Sequence, residues 1–124
     1  MGEAIARKEA ADVIQPFSAG LHPLGMIPEL TLKTLEANGY SGEGLASKAL
    51  RDFSGAGIDL VVDMSGLGRQ DAFADFQNVE EWEVTDPYGG NAATYQKIFL
   101  EIQDKVMAMA QLLRETKRAN EENQ

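Results

Sequence analysis

From Tyr95 to Leu113 the apolar residues Tyr95, Ile98, Phe99, Ile102, Val106, Met109 and Leu113 recur at steps of three and four. That spacing sets them on one face of an α-helix. Such a stripe is not stable against water, so the rest of the chain must supply a surface that covers it. The polar run beyond Lys117 has no such face and is expected to fray. Ile58-Asp59-Leu60-Val61-Val62-Asp63-Met64 is the strongest strand signal, a short apolar run that reads as buried. A long one-faced helix and a buried strand together point to helices packed on a sheet.

The other segments fit that layout. Residues 2–14 are rich in Ala, Glu, Lys and Arg and read as a helix. Pro16 to Gly20 reads as a short strand or turn. A second helix is expected from about Ile27, with Pro28 in its first turn and Asn38-Gly39 as its stop. Leu45, Ala49 and Phe53 are spaced for one face of a brief helical piece, and a short helix is expected near Gln70–Phe76. Glu81 to Val84 reads as a second short strand, closed by the turn signal Thr85-Asp86-Pro87-Tyr88-Gly89-Gly90. Strand-like runs separated by helices predict an α/β fold in three layers, a parallel sheet with helices on both faces. At 124 residues the chain is expected to form one domain, residues 1–124.

Composition narrows the function. Twenty Asp and Glu against 11 Lys and Arg leave a net charge of −9, the wrong sign for a nucleic-acid partner. With no cysteine there is no disulfide, thiolate metal site or thiol nucleophile within these residues, and His22 alone makes no metal cluster. No cofactor and no metal are expected. No apolar run approaches the roughly 20 residues of a membrane span, and a cytoplasmic domain is expected.

The order of the pieces carries a resemblance. Met1-Gly2-Glu3-Ala4-Ile5-Ala6-Arg7 resembles the segment that follows the phosphate-binding loop of low-molecular-weight protein tyrosine phosphatases and the related arsenate reductases. Ser18-Ala19-Gly20 resembles their Ser-Ala-Gly element, Asp59 to Met64 their hydrophobic strand, and Asp86-Pro87-Tyr88-Gly89 their Asp-Pro loop ahead of a long last helix. Each piece is a weak signal; the ordered set spans essentially the whole chain. The family's Cys-x5-Arg loop and the strand before it have no counterpart in the sequence. The resemblance therefore implies a domain truncated at its N-terminus, with Met1 an internal methionine of a longer reading frame and the first, central strand missing.

The resemblance also implies roles. Asp86 matches the general acid that protonates the leaving phenol oxygen, Tyr88 the ring that flanks a phosphotyrosine, and Ser18 a brace for the phosphate loop. Read without the family, these are a turn aspartate, a turn tyrosine and a strand-end serine. Ser47 falls near the place of a bracing histidine in some members. In intact homologues the partner is a phosphotyrosine protein or a small aryl phosphate. The chain without the nucleophile and Arg is expected to be inactive. Met64-Ser65-Gly66-Leu67-Gly68 lacks the resolving cysteines of an arsenate reductase, which favours a phosphatase parent. Two other readings stand beside it. One takes Asp63 as the phosphoacceptor of a receiver domain, without the acidic pair and late Lys that such domains need. The other is a non-catalytic interaction module, a homo-oligomer formed because unpaired strand edges seek partners.

Overall fold

A computed structural model describes residues 1–20, 25–53, 57–66, 73–87 and 89–122. In chain order the elements are helix α1 (Gly2–Glu9), helix α2 (Glu29–Ala37), a 3₁₀ turn (Leu50–Asp52), strand β1 (Val61–Asp63), strand β2 (Val79–Glu81) and helix α3 (Ala92–Glu122). The strands run parallel, with Val61 opposite Val79 and Asp63 opposite Glu81. Gly20 and Ala49 add an isolated parallel bridge.

α3 organises the core by packing against both α1 and α2. Its buried residues are Tyr95, Ile98, Phe99, Ile102, Val106 and Ala110. They meet Ala4, Ile5 and Ala6 of α1, Leu35 of α2 and Tyr40, while Met64, Trp82 and Val84 close over the cluster from the strand side. α2 begins behind Pro28 and ends at Gly39, whose φ of +83° is the left-handed conformation glycine adopts without strain. There the Tyr40 amide donates to the Leu35 carbonyl and the Gly39 amide to that of Glu36. This double closure terminates a helix and turns the following apolar residue inward. Tyr40 thereby lands on Phe99, ring centres 5.5 Å apart, and its hydroxyl donates to Glu9 while accepting from Gln103. Asn38 and Gln96 exchange side-chain amide hydrogen bonds between α2 and α3. Arg114 donates to both carboxylate oxygens of Asp12 and to the Glu9 carbonyl, which pins the end of α1 to α3. That hydrogen bonding holds the Asp12 carboxyl down at about 2.

Several expectations change. The first helix stops at Glu9, with a turn over Ala10–Ile14 instead of further helix. Leu45 to Phe53 is not helical apart from the 3₁₀ turn, because its backbone pairs with Gly20: the Gly20 amide donates to the Lys48 carbonyl and the Leu50 amide to that of Gly20. β1 covers only Val61–Asp63 of the run expected over 58–64, β2 lies at Val79–Glu81 and not at the expected Glu81–Val84, and Phe17–Ala19 contributes only the bridge at Gly20. The expected three-strand sheet is thus two strands and a bridge among the described residues. Of the helix expected near residues 70–76, residues 70–72 lie outside the described residues, and the rest is a turn closed from the Phe76 amide to the Phe73 carbonyl. α3 does not fray at Lys117 but runs to Glu122, and its stripe loses cover at its far end, where Leu113 is 37% exposed.

The core assignment makes a direct prediction. Phe99, 1% exposed, becomes a cavity on substitution by Ala, and urea denaturation is expected to show a loss of about 3–5 kcal/mol. Leu100→Ala, on the exposed side of the same turn, is expected to change stability by about 0.5 kcal/mol or less.

Candidate active site

The first turn of α1 carries a buried charge. The Glu3 side chain is 2% exposed, and its carboxylate accepts from Ser18 Oγ at 2.6 Å, from Lys48 Nζ at 3.3 Å and from Arg7 on the next turn. A carboxylate removed from water is costly unless each lone pair finds a donor; here three donors from three segments do so. Burial alone raises the Glu3 carboxyl. The hydrogen bonds from Ser18 and Lys48, with the positive charges of Lys48 and Arg7, outweigh it and hold the group below its ordinary value. Glu3 also sits at the positive end of the helix dipole, which favours an anion there.

The parallel strands end on the same side of the sheet, and that side faces α1. A side chain added at Gly2 would meet the Met64 methyl at 3.6 Å, so the end of β1 abuts the start of α1. Asp63 is buried, its side chain accepts from the Ser65 amide at 2.9 Å, and its carbonyl accepts from the Trp82 amide at 2.9 Å. That last bond extends the β1–β2 pairing one residue beyond β2 and carries the chain towards Asp86. Asp86 is exposed and precedes a tight turn. The Gly90 amide donates to the Pro87 carbonyl at 2.8 Å, and Gly89 has φ +86°, which a side chain rarely adopts. A side chain at Gly90 would come within 2.9 Å of both the Pro87 carbonyl and the Thr94 methyl, so the turn has room only for glycine. Asn91 then caps α3, its Oδ1 accepting from the Thr94 amide.

Ser18 is joined to Glu3 by a direct hydrogen bond. Asp86 lies in the segment leaving the same end of the sheet. Tyr88, His22 and Gly68 lie outside the described residues. Ser47 takes the Gly25 amide and has no contact with Glu3; the neighbouring Lys48 reaches that carboxylate instead. Sequence reasoning missed Glu3 and Lys48. A glutamate in a run of buried alanines was the available signal, since nothing local pairs it except Arg7. Among the described residues no group of three or more His, Asp or Glu can hold a metal ion, and no helix is long and apolar enough to cross a membrane.

Comparison with known proteins gives the family and the fold. Residues 1–119 match the family described as low molecular weight phosphotyrosine protein phosphatase, and the chain belongs to that family. No curated protein matches it by sequence. Among solved structures it is similar to an arsenate reductase in the reduced state (20% identity, TM-score 0.76, covering 88% of this chain and 84% of that one). It is similar also to the tyrosine phosphatase Wzb from Escherichia coli K30 in complex with sulphate (18% identity, TM-score 0.74, 90% and 87% covered). A third is the arsenate reductase from Archaeoglobus fulgidus (19% identity, TM-score 0.71, 88% and 86% covered). At these identities the likeness establishes a shared α/β fold. The family match removes the receiver-domain reading.

Glu3 makes acid stability a test of the cluster. Its carboxyl is lowered in the folded chain, so its contribution is present above its ordinary value of 4.5 and is lost as pH falls through the lower folded value. Lys48→Met removes a charge and a donor, and the acid-unfolding midpoint is expected to move to higher pH by circular dichroism. Ser18→Ala leaves the buried carboxylate one donor short and is expected to cost about 1–3 kcal/mol at neutral pH.

Proposed function

We propose that this chain carries the leaving-group side of a phosphomonoesterase site of the phosphotyrosine type. In this reading Asp86 protonates the departing phenolate oxygen. Tyr88 flanks the aromatic ring of the substrate. Ser18 acts through Glu3, holding the first turn of α1 where a phosphate group would meet free amides and the helix dipole. The observation that carries the reading is the exit from the sheet: the Asp86-Pro87 segment leaves the end of the parallel strands that abuts the start of α1, inside a chain matched to the family over residues 1–119.

The nucleophile is a separate matter. The family's chemistry uses a low-pKa cysteine thiolate and an Arg clamp after it. None of the 124 residues is cysteine, and no remaining side chain replaces a thiolate at phosphorus. These residues by themselves are therefore not expected to turn over a phosphate ester. Met64-Ser65-Gly66, without cysteine where a reductase places resolving cysteines, favours phosphatase over arsenate reductase chemistry.

Two measurements test this. The purified chain is expected to release no p-nitrophenol from p-nitrophenyl phosphate above background; turnover lost in Asp86→Ala would overturn the assignment of chemistry to an absent thiol. In amide NMR spectra, phenyl phosphate at millimolar concentration is expected to shift the signals of residues 2–5 and 86–90. Shifts elsewhere with none in those two segments would refute the site.

A further inference from the structure

A second surface lies where α3 meets the edge of the sheet. Lys105, Ala108, Met109 and Leu112 of α3, with Trp82 and Glu80 at the edge of the sheet, line an open groove of about 200 Å³. Those four helix residues stand at i, i+3, i+4 and i+7, the arrangement that forms the hole for a side-chain knob from a facing helix. Trp82 walls one side, its indole N–H donating to the Glu80 carboxylate at 3.1 Å. Leu112 stands on the lip, 64% exposed, so that an apolar side chain borders the groove on the solvent side.

The stripe through this hole is complementary to itself. Along α3 the residues Glu101, Lys105, Ala108, Leu112, Glu115 and Ala119 follow each other at alternating steps of four and three and form one line. If two copies of α3 cross antiparallel with Leu112 of each seated in the hole of the other, large Leu112 meets small Ala108. The same register brings Lys105 opposite Glu115, twice by symmetry. Lys105 makes no ion pair among the described residues, and Glu115 has only the local hydrogen bond from Gln111. A two-fold interface is required to match a surface to itself in this way, size against size and charge against charge.

We propose that this groove is the self-association surface of the protein: an antiparallel α3–α3 dimer in which Leu112 of each copy fills the Trp82–Met109 groove of the other. This is a different surface from the unpaired strand edges considered from the sequence, and it does not rest on the phosphatase reading. Residues 101–119 span about 27 Å of helix, so the contact is smaller than a standard interface and a weak, concentration-dependent dimer is expected. With a net charge of −9 on each copy, screening by about 0.15 M salt is needed to bring the copies together.

Sedimentation equilibrium from 5 to 500 μM of the 124-residue chain is the test. The wild-type chain is expected to shift from monomer to dimer over this range, and a chain monomeric throughout overturns the proposal. Leu112→Glu, at an exposed position that leaves the core alone, is expected to abolish the dimer; a dimer that survives it uses another face and overturns the proposal equally. The register is tested by charge. Lys105→Glu places Glu against Glu115, and Glu115→Lys places Lys against Lys105, so each variant alone is expected to weaken dimerisation at least tenfold. An equimolar mixture restores both opposite-charge pairs and is expected to form the mixed dimer. Circular dichroism on each variant checks that it is folded. If the folded variants do not pair on mixing, the antiparallel register is wrong.

Discussion

Phe99, 1% exposed on α3, touches the chemistry of every other helix through Tyr40. The Tyr40 ring covers it, the Tyr40 hydroxyl takes hydrogen bonds to α1 and from α3, and the Tyr40 backbone closes the end of α2. The apolar stripe of α3 must be covered, and among the described residues α1 and α2 pack onto it together with Met64, Trp82 and Val84. Among the described residues the sheet is two short parallel strands, and their direction sets the side on which the following loops leave.

That direction matters for function. Parallel strands send their following loops to one side, where ligands of α/β folds gather. Here that side holds the start of α1, with Glu3 tied down by Ser18, Lys48 and Arg7, and the segment leading to Asp86. A fully paired carboxylate inside the body costs stability if any partner is lost, and its hydrogen bonds tie the first turn of α1 to Ser18 and Lys48. The opposite flank, where α3 extends past the body, is governed by different chemistry. There the hydrophobic face runs on after its cover has ended.

The legible part of the fold was the part with period. The α3 stripe and the proline–glycine punctuation of α2 act over a few residues and lie where they were expected, whereas the run before Met64 is a strand only over Val61–Asp63 and is not buried as expected, with Leu60 39% exposed. The failures lie where a long-range partner overrides a local preference. Leu45, Ala49 and Phe53 are spaced for a helix face, yet hydrogen bonds to Gly20 draw that backbone out straight. Met109 and Leu113 continue the α3 periodicity, but periodicity does not say how far the covering surface extends. The helix outlasts Lys117 because Glu115 to Glu122 contains mostly strong helix formers, whose preference is independent of burial.

At the candidate site the division is the same. The Asp86-Pro87 segment and its glycine turn are local chemistry: only glycine fits at Gly90, and left-handed φ marks Gly89. The order of such signals along the chain is enough to place it in its family. The sequence by itself therefore determined the helices with one apolar face, the turns and the family. Tertiary structure alone decided that Glu3 is buried, that Lys48 and not Ser47 reaches it, and that Trp82 and Leu112 frame a groove. Those outcomes depend on contacts between residues far apart in the chain, and no local pattern encodes which distant donor a buried carboxylate will find.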